Sequence, residues 1–340
     1  MKIYDDYLQI IKDAVESDTS NQFSKGLGSP IYGRTNEQFK AILNRIEDKE
    51  IASEMKMFSE GLGRPVNYNQ QLGLHPSFAH LKKTNNVEEH YIVSVFIDIK
   101  GSTNLFKKFN KETNFLITNA IIKAGIHTAL IFGGYVHRLQ GDGMFLYFGD
   151  KNTEQKKAVE LALQMVSVYT HFVKNDLKEY LLSQGIENIG VRTGIDLGKK
   201  EDVLWGNSGI GEISEVTTCS LHTSLASKMQ SSAITNGVVV GQFIKDEIED
   251  DEYFSSVTSR TGSENDRYIY RINDRNFYYT QYDFKWEKFL KKQNFIATDL
   301  YGNPTIKIPS SIKPMIGLKS IATVNKPYFN DKKNKAGKGY

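Results

Sequence analysis

The run Tyr91-Ile92-Val93-Ser94-Val95-Phe96-Ile97-Asp98-Ile99 decides the fold. It is short, β-branched and aromatic, which suits a central strand. One residue breaks the pattern. Asp98 puts a carboxylate near the end of an apolar strand, where it is costly unless paired, hydrogen-bonded or bound to a cation. Outward from this strand, residues 104–132 have a long helical pattern, read as two helices. Residues 134–140 and 143–148 are strand-like and flank Gly141-Asp142-Gly143, a hairpin signal. Residues 152–182 read as a helix, with Ala158, Leu161, Ala162, Met165, Val166 and Tyr169 on one face. A strand is expected over 188–197, then a Gly/Ser/Asp-rich loop to about residue 214. A helix over 220–230 and a strand over 237–242 follow. The order β-α-β-β-α-β predicts an α+β fold with a ferredoxin-like split βαβ core, its sheet covered by helices on one face.

The flanks differ from this core. Residues 1–87 form an N-terminal helical extension, with Phe39, Ile42, Leu43 and Ile46 at helical spacing. Two glycine-rich pieces, Gly26-Leu27-Gly28-Ser29-Pro30 and Gly61-Leu62-Gly63-Arg64-Pro65, read as turns, since no Gly-Lys-Ser/Thr follows. The core spans 88–244. Residues 245–340 are a C-terminal region that opens with an acidic helix-like stretch and turns Tyr- and Phe-rich. There Tyr268-Ile269-Tyr270-Arg271-Ile272 reads as a strand and Trp286 to Lys292 as a helix. Its end is basic from Asn330.

With 39% hydrophobic and 24% charged residues in 340, there is enough apolar sequence for a real core. The net charge of +3 is nearly balanced and calls for no nucleic acid or acidic membrane as partner. Cys219 is the one cysteine, which excludes an intramolecular disulfide. No signal peptide is expected at the start and no stretch is expected to span a bilayer, so a cytoplasmic location is expected. The seven histidines show no metal-ligand spacing; His222, next to the last core helix, is the one held open.

Topology makes Asp98 and Asp142 a pair. In a split βαβ core the strand before the first helix and the following hairpin are neighbours, so the strand end and hairpin tip share an edge. Two carboxylates there make a hard-oxygen site suited to Mg²⁺ or Mn²⁺. Gly101-Ser102-Thr103 follows, a turn with free backbone N–H groups at a helix start where phosphate can sit. Ser102 or Thr103 is also expected to cap that helix.

Phe96-Ile97-Asp98-Ile99-Lys100-Gly101-Ser102-Thr103, followed by Gly141-Asp142-Gly143-Met144-Phe145, resembles the catalytic core of class III adenylate and guanylate cyclases. Val191 to Gly198 and the helix Ser224-Leu225-Ala226-Ser227-Lys228-Met229 are similar to later parts of that family. The resemblance implies that Asp98, Asp142 and the carbonyl of Ile99 hold two Mn²⁺ or Mg²⁺ ions per active site. It also implies a head-to-tail homodimer with active sites at the interface.

The sequence departs from purine cyclases in the base pocket. Their usual Lys is replaced by Arg138, and the base-reading residue of the later strand by Thr217. Ser224 stands for a catalytic Asn and Lys228 for a catalytic Arg. Arg presents several donors in a plane and suits a carbonyl-rich base. With Tyr91 as a further base contact, the pattern is similar to the bacterial pyrimidine cyclases of the Pycsar antiphage systems. Their resemblance implies a sensor-like C-terminal region and a downstream cyclic-nucleotide effector. The expected substrate is UTP, converted to 3′,5′-cyclic UMP and pyrophosphate. A cytidylate cyclase, an adenylate cyclase and a non-catalytic nucleotide-binding sensor are the rival readings.

Overall fold

The computed structural model describes residues 1–18, 35–47, 53–64, 66, 68 and 70–307. The glycine-rich piece at 26–30 and the basic end from residue 330 lie outside the described residues. In chain order the N-terminal helices are α1 (Asp5–Glu16), α2 (Asn36–Glu47) and α3 (Ser53–Gly61). The core follows as β1 (Val87–Glu89), β2 (Ile92–Lys100), α4 (Ser102–Leu105), α5 (Lys111–Ile131), β3 (Tyr135–Gln140), β4 (Gly143–Phe148) and α6 (Gln155–His171). A π-helical turn, Phe172–Leu177, separates α6 from α7 (Lys178–Ser183), so the single expected helix is interrupted. Next come β5 (Gly190–Gly198), β6 (Leu204–Ile210), β7 (Ile213–Cys219), α8 (Leu221–Ser232), β8 (Gly237–Gly241) and α9 (Gln242–Asp246). The C-terminal part holds β9 (Phe254–Ser256), α10 (Thr258–Thr261), β10 (Tyr268–Ile272), β11 (Phe277–Phe284), α11 (Trp286–Lys291), β12 (Ile296–Thr298) and β13 (Pro304–Ile306).

The main sheet runs β10-β11-β8-β5-β2-β4-β3. Its segment β5-β2-β4-β3 is antiparallel throughout and has the ferredoxin-like order, with the first strand flanked by the third and fourth. The α+β expectation therefore holds. The expectation of helices on one face does not. Met144, paired with Ile97, lies against Gly125 of α5 on one face. On the other face Gly194, opposite Phe96, supports α8; a Cβ there would come within 2.1 Å of the Ala226 carbonyl oxygen. Helix approach on that side is so close that only glycine fits.

The loop expected up to residue 214 is instead an antiparallel arm. β6 and β7 pair over their whole length, and β1 joins them in a separate three-stranded sheet. These strands are mostly exposed or half-buried, so backbone pairing rather than an apolar stripe defines them. At the arm's root Trp205 is fully buried and stacks on Phe78 with ring centroids 4.0 Å apart.

Residues 245–307 of the C-terminal region pack with the core. Residues Met1–Lys307 form one compact unit. β11 pairs antiparallel with β8 and so lengthens the main sheet. The N-terminal segment is also bound in: Tyr4 shares a hydrogen bond of 2.7 Å with Thr128 of α5. Among the described residues one helix, Lys111–Ile131, is long and apolar enough to cross a bilayer, contrary to expectation, but 78% of its most apolar stretch is buried in the fold. It is the core helix of this domain.

Candidate active site

The register of β2 and β4 does what the topology argument required. Asp98 stands opposite Gly143, next to Asp142 at the hairpin tip. The N–H of Ile99 donates to the Asp142 carbonyl oxygen at 3.2 Å, which fastens the end of β2 to the tip. The turn after β2 needs Gly101, whose φ is +86° and whose missing Cβ leaves room for the Asn188 carbonyl oxygen. Gly101 itself is the residue before α4, so neither Ser102 nor Thr103 caps the helix by a side chain as expected. The Ser102 hydroxyl donates to Asp142 Oδ2 instead. Thr103 is exposed.

Asp98 has a partner that the sequence did not announce. Arg192 lies directly opposite it on β5, and its Nη2 donates to Asp98 Oδ2 at 2.5 Å. Both side chains are about a quarter exposed, at 26% and 27%. Arg192 was visible only as part of a motif; the cross-strand register reveals its partner.

Asp98, Asp142 and the Ile99 carbonyl form an all-oxygen donor set, the chemistry that Mg²⁺ or Mn²⁺ prefers. Among the described residues no group of three or more His, Cys, Asp and Glu side chains is arranged to hold a metal ion. Two carboxylates with phosphate oxygens from a ligand match the way Mg²⁺ is commonly held. The residues thus fit the expected ions.

Two of the other expected residues meet elsewhere. Thr217 and Ser224 line a groove of about 570 Å³ with Trp205, Asn207, Thr218 and Thr223. Ser94, early on β2, shares a hydrogen bond of 2.9 Å with Thr223. Four strand residues, roughly 13 Å, separate Ser94 from Asp98. The groove and the aspartate pair therefore belong to opposite ends of β2 within one chain.

Arg138 joins the groove side through Glu215 of β7. Arg138 Nε donates to Glu215 Oε2 at 2.7 Å, and Nη2 meets Oε1. Next to it, His137 is fully buried and its Nε2 lies 3.2 Å from the Thr217 hydroxyl. Burial, followed by the nearby Arg138 charge, pushes His137 down to about 3, so the ring is neutral. Glu215 was not singled out from sequence, because the strand that carries it lies between an expected loop to about residue 214 and the helix expected from 220. Tyr91 is not brought to Arg138: its hydroxyl donates to the Thr153 carbonyl, and its ring stacks on His90. Lys228 is exposed on α8, with its Nζ 5.8 Å from the centre of the Tyr270 ring, and does not meet either aspartate within the chain.

No protein-family model matches the chain. Curated proteins do. A cytidylate cyclase of Staphylococcus aureus is 34% identical over 249 residues, covering 72% of this chain and 58% of that protein. A cytidylate cyclase of Escherichia coli is 33% identical over 280 residues, covering 79% of this chain and 58% of that protein. The chain thus spans less than two thirds of the length of these relatives. Among solved structures, an adenylyl cyclase from P. aeruginosa superposes with a TM-score of 0.48 at 20% identity, over 58% of this chain and 95% of the other. In sequence the chain is thus similar to curated cytidylate cyclases, and its strand order and aspartate motifs agree with those expected from the resemblance to class III nucleotidyl cyclases.

Proposed function

We propose that this protein is a pyrimidine nucleotide cyclase that converts CTP to 3′,5′-cyclic CMP and pyrophosphate. The observation behind the cyclase reading is the β2–β4 register, which sets Asp98 and Asp142 at one edge. The choice of CTP over the UTP expected from sequence rests on the two cytidylate cyclase relatives. It also rests on Arg138, whose Nε–Nη2 edge is engaged by Glu215, so that a carboxylate acceptor stands beside the donors that remain.

The reaction is an intramolecular phosphoryl transfer. The ribose 3′-hydroxyl gives up its proton to solvent as its oxygen bonds to the α-phosphorus, and the bond to the bridging oxygen of pyrophosphate breaks. Asp98, Asp142 and the Ile99 carbonyl would hold two divalent ions. Such ions supply Lewis-acid activation of the 3′-hydroxyl and neutralise triphosphate charge. Ser102 donates to Asp142, and Arg192 pairs with Asp98, balancing its charge. The turn at Gly101, Ser102 and Thr103 borders the phosphates. Catalysis is positioning and charge stabilisation.

A base groove at one end of β2 and metal carboxylates at the other call for two chains arranged head to tail. Each active site would then take its aspartates from one copy and Arg138, Thr217, Ser224 and Lys228 from the other. Cyclic CMP would act on a separate effector, as the resemblance to the antiphage cyclases implies.

The test is incubation with Mn²⁺ and each of ATP, GTP, CTP and UTP separately, with products identified by mass. Cyclic CMP from CTP is expected, and Asp98→Ala should abolish it while leaving the melting temperature near that of the parent. A purine product, or turnover that survives Asp98→Ala, refutes the proposal.

A further inference from the structure

The fork between Arg138 and Glu215 is built, not incidental. The Glu215 side chain is only 20% exposed, against 45% for Arg138. Its back rests on the Gly73 backbone: a Cβ at Gly73 would fall within 2.8 Å of Glu215 Cβ and 3.3 Å of Oε2. Gly73 has φ +67°, and its N–H donates to the His137 carbonyl oxygen at 2.8 Å. The neutral His137 ring closes another side, with Nε2 3.8 Å from Glu215 Oε2. Thr217, which lines the groove, lies two residues beyond Glu215 on the same strand. The carboxylate is thus held in place next to the expected base site.

This arrangement changes what a base would meet there. Arg138 turns its Nε and one Nη2 hydrogen to Glu215, so the donors left are the two on Nη1 and the second on Nη2. Next to it stands a carboxylate that only accepts and is negatively charged. Cytosine offers an exocyclic amine at the end of its pairing edge, with an acceptor nitrogen and one carbonyl beside it. Carboxylates commonly accept from that amine. Uracil offers a single N–H between two carbonyls. To reach the carboxylate with that N–H, it must bring a carbonyl oxygen against a negative charge.

We propose that Glu215 is the specificity-determining residue of the base pocket, holding Arg138 by one edge and accepting from the exocyclic amine of cytosine. The inference rests on the pyrimidine cyclase reading and deepens it. Glu215→Gln removes the charge and lets the side chain donate to a carbonyl. Glu215→Asp keeps the charge on a shorter arm.

The experiment measures kcat/KM for CTP and for UTP with Mn²⁺ on the full chain, for the parent, Glu215→Gln and Glu215→Asp. The parent should prefer CTP. Glu215→Gln should lower the CTP:UTP ratio about ten- to hundredfold, the weight of one good base contact. Glu215→Asp should be slower and keep the preference for CTP. Equal losses on both nucleotides in Glu215→Gln, with the ratio unchanged, would make Glu215 a structural ion-pair partner and overturn the proposal. So would a parent that prefers UTP. A parent that turns over only purines refutes the function itself, and the inference with it. If the parent makes no product, calorimetric binding of CTP and UTP takes over. CTP must then bind more tightly, and Glu215→Gln must erase the difference; any other result overturns the inference.

Discussion

Tyr279 donates its hydroxyl to Asp196 Oδ1 at 2.7 Å, joining residues 83 positions apart. Asp196 is fully buried on β5. It also accepts from the Leu197 N–H at 3.0 Å and lies 2.9 Å from His222 Nδ1 of α8. Burial raises its pKa first; these partners pull it back down. The C-terminal strand β11 thereby completes a polar network rooted in the main sheet. His222, held open by the sequence reading, is a buried member of that network and not a surface histidine.

Removing the Tyr279 hydroxyl leaves a buried carboxylate short of a partner. Tyr279→Phe should cost about 1–3 kcal/mol and lower the melting temperature by several degrees in calorimetry. Amide exchange should rise in β5 and at the start of α8. An unchanged melting curve would show that the network adds nothing.

Arg192 sits on the carboxylate that is expected to bind metal. Arg192→Gln removes a like charge next to that site. Mn²⁺ should bind more tightly by about 1 kcal/mol, roughly fivefold, in titrations without nucleotide. The ion pair is partly exposed, so the stability loss should stay below about 1 kcal/mol. Weaker Mn²⁺ binding would show instead that Arg192 serves to hold Asp98 in its binding pose.

Three buried imidazoles predict sensitivity to acid. Burial holds His75 at about 4, His137 at about 3 and His171 at about 4. In the unfolded chain each takes a proton near pH 6.5. The unfolded state therefore binds more protons below that value. Stability should be full above about pH 6.5 and fall as pH drops towards 4, by about 2 kcal/mol per ring at pH 5. Asp196 works the other way, since its raised pKa lets the folded state take a proton first. A flat melting temperature between pH 7.5 and 5 would contradict this fall.

The tip of the β6–β7 arm exposes Ile210 and Ile213, at 86% and 87%. They pair across the arm and form an apolar end with no cover from the described residues. If this arm reaches a second copy, Ile210→Ser with Ile213→Ser should shift the protein from dimer to monomer in light scattering. Cyclase turnover should fall with it. A dimer that survives would place the contact elsewhere.

Legibility followed the physics of each element. β2 and the hairpin after it were readable because an apolar run broken by one acid, and a glycine-bracketed acid, are local patterns. The arm was not, because Trp205-Gly206-Asn207-Ser208-Gly209 has neither alternation nor continuous apolarity. Its strands exist through pairing with each other and with β1. The place of β11 was hidden too, since its partner β8 lies far back in the chain.

By itself, then, the sequence determined the split βαβ order and the shared edge of Asp98 and Asp142. Both follow from local periodicity and from a topology with few alternatives. Only the tertiary structure decided which charges face each other. Arg192 meets Asp98 through a β2–β5 register, and Arg138 meets Glu215 between two sheets. Such pairings depend on register and on the approach of distant strands, which no local pattern encodes.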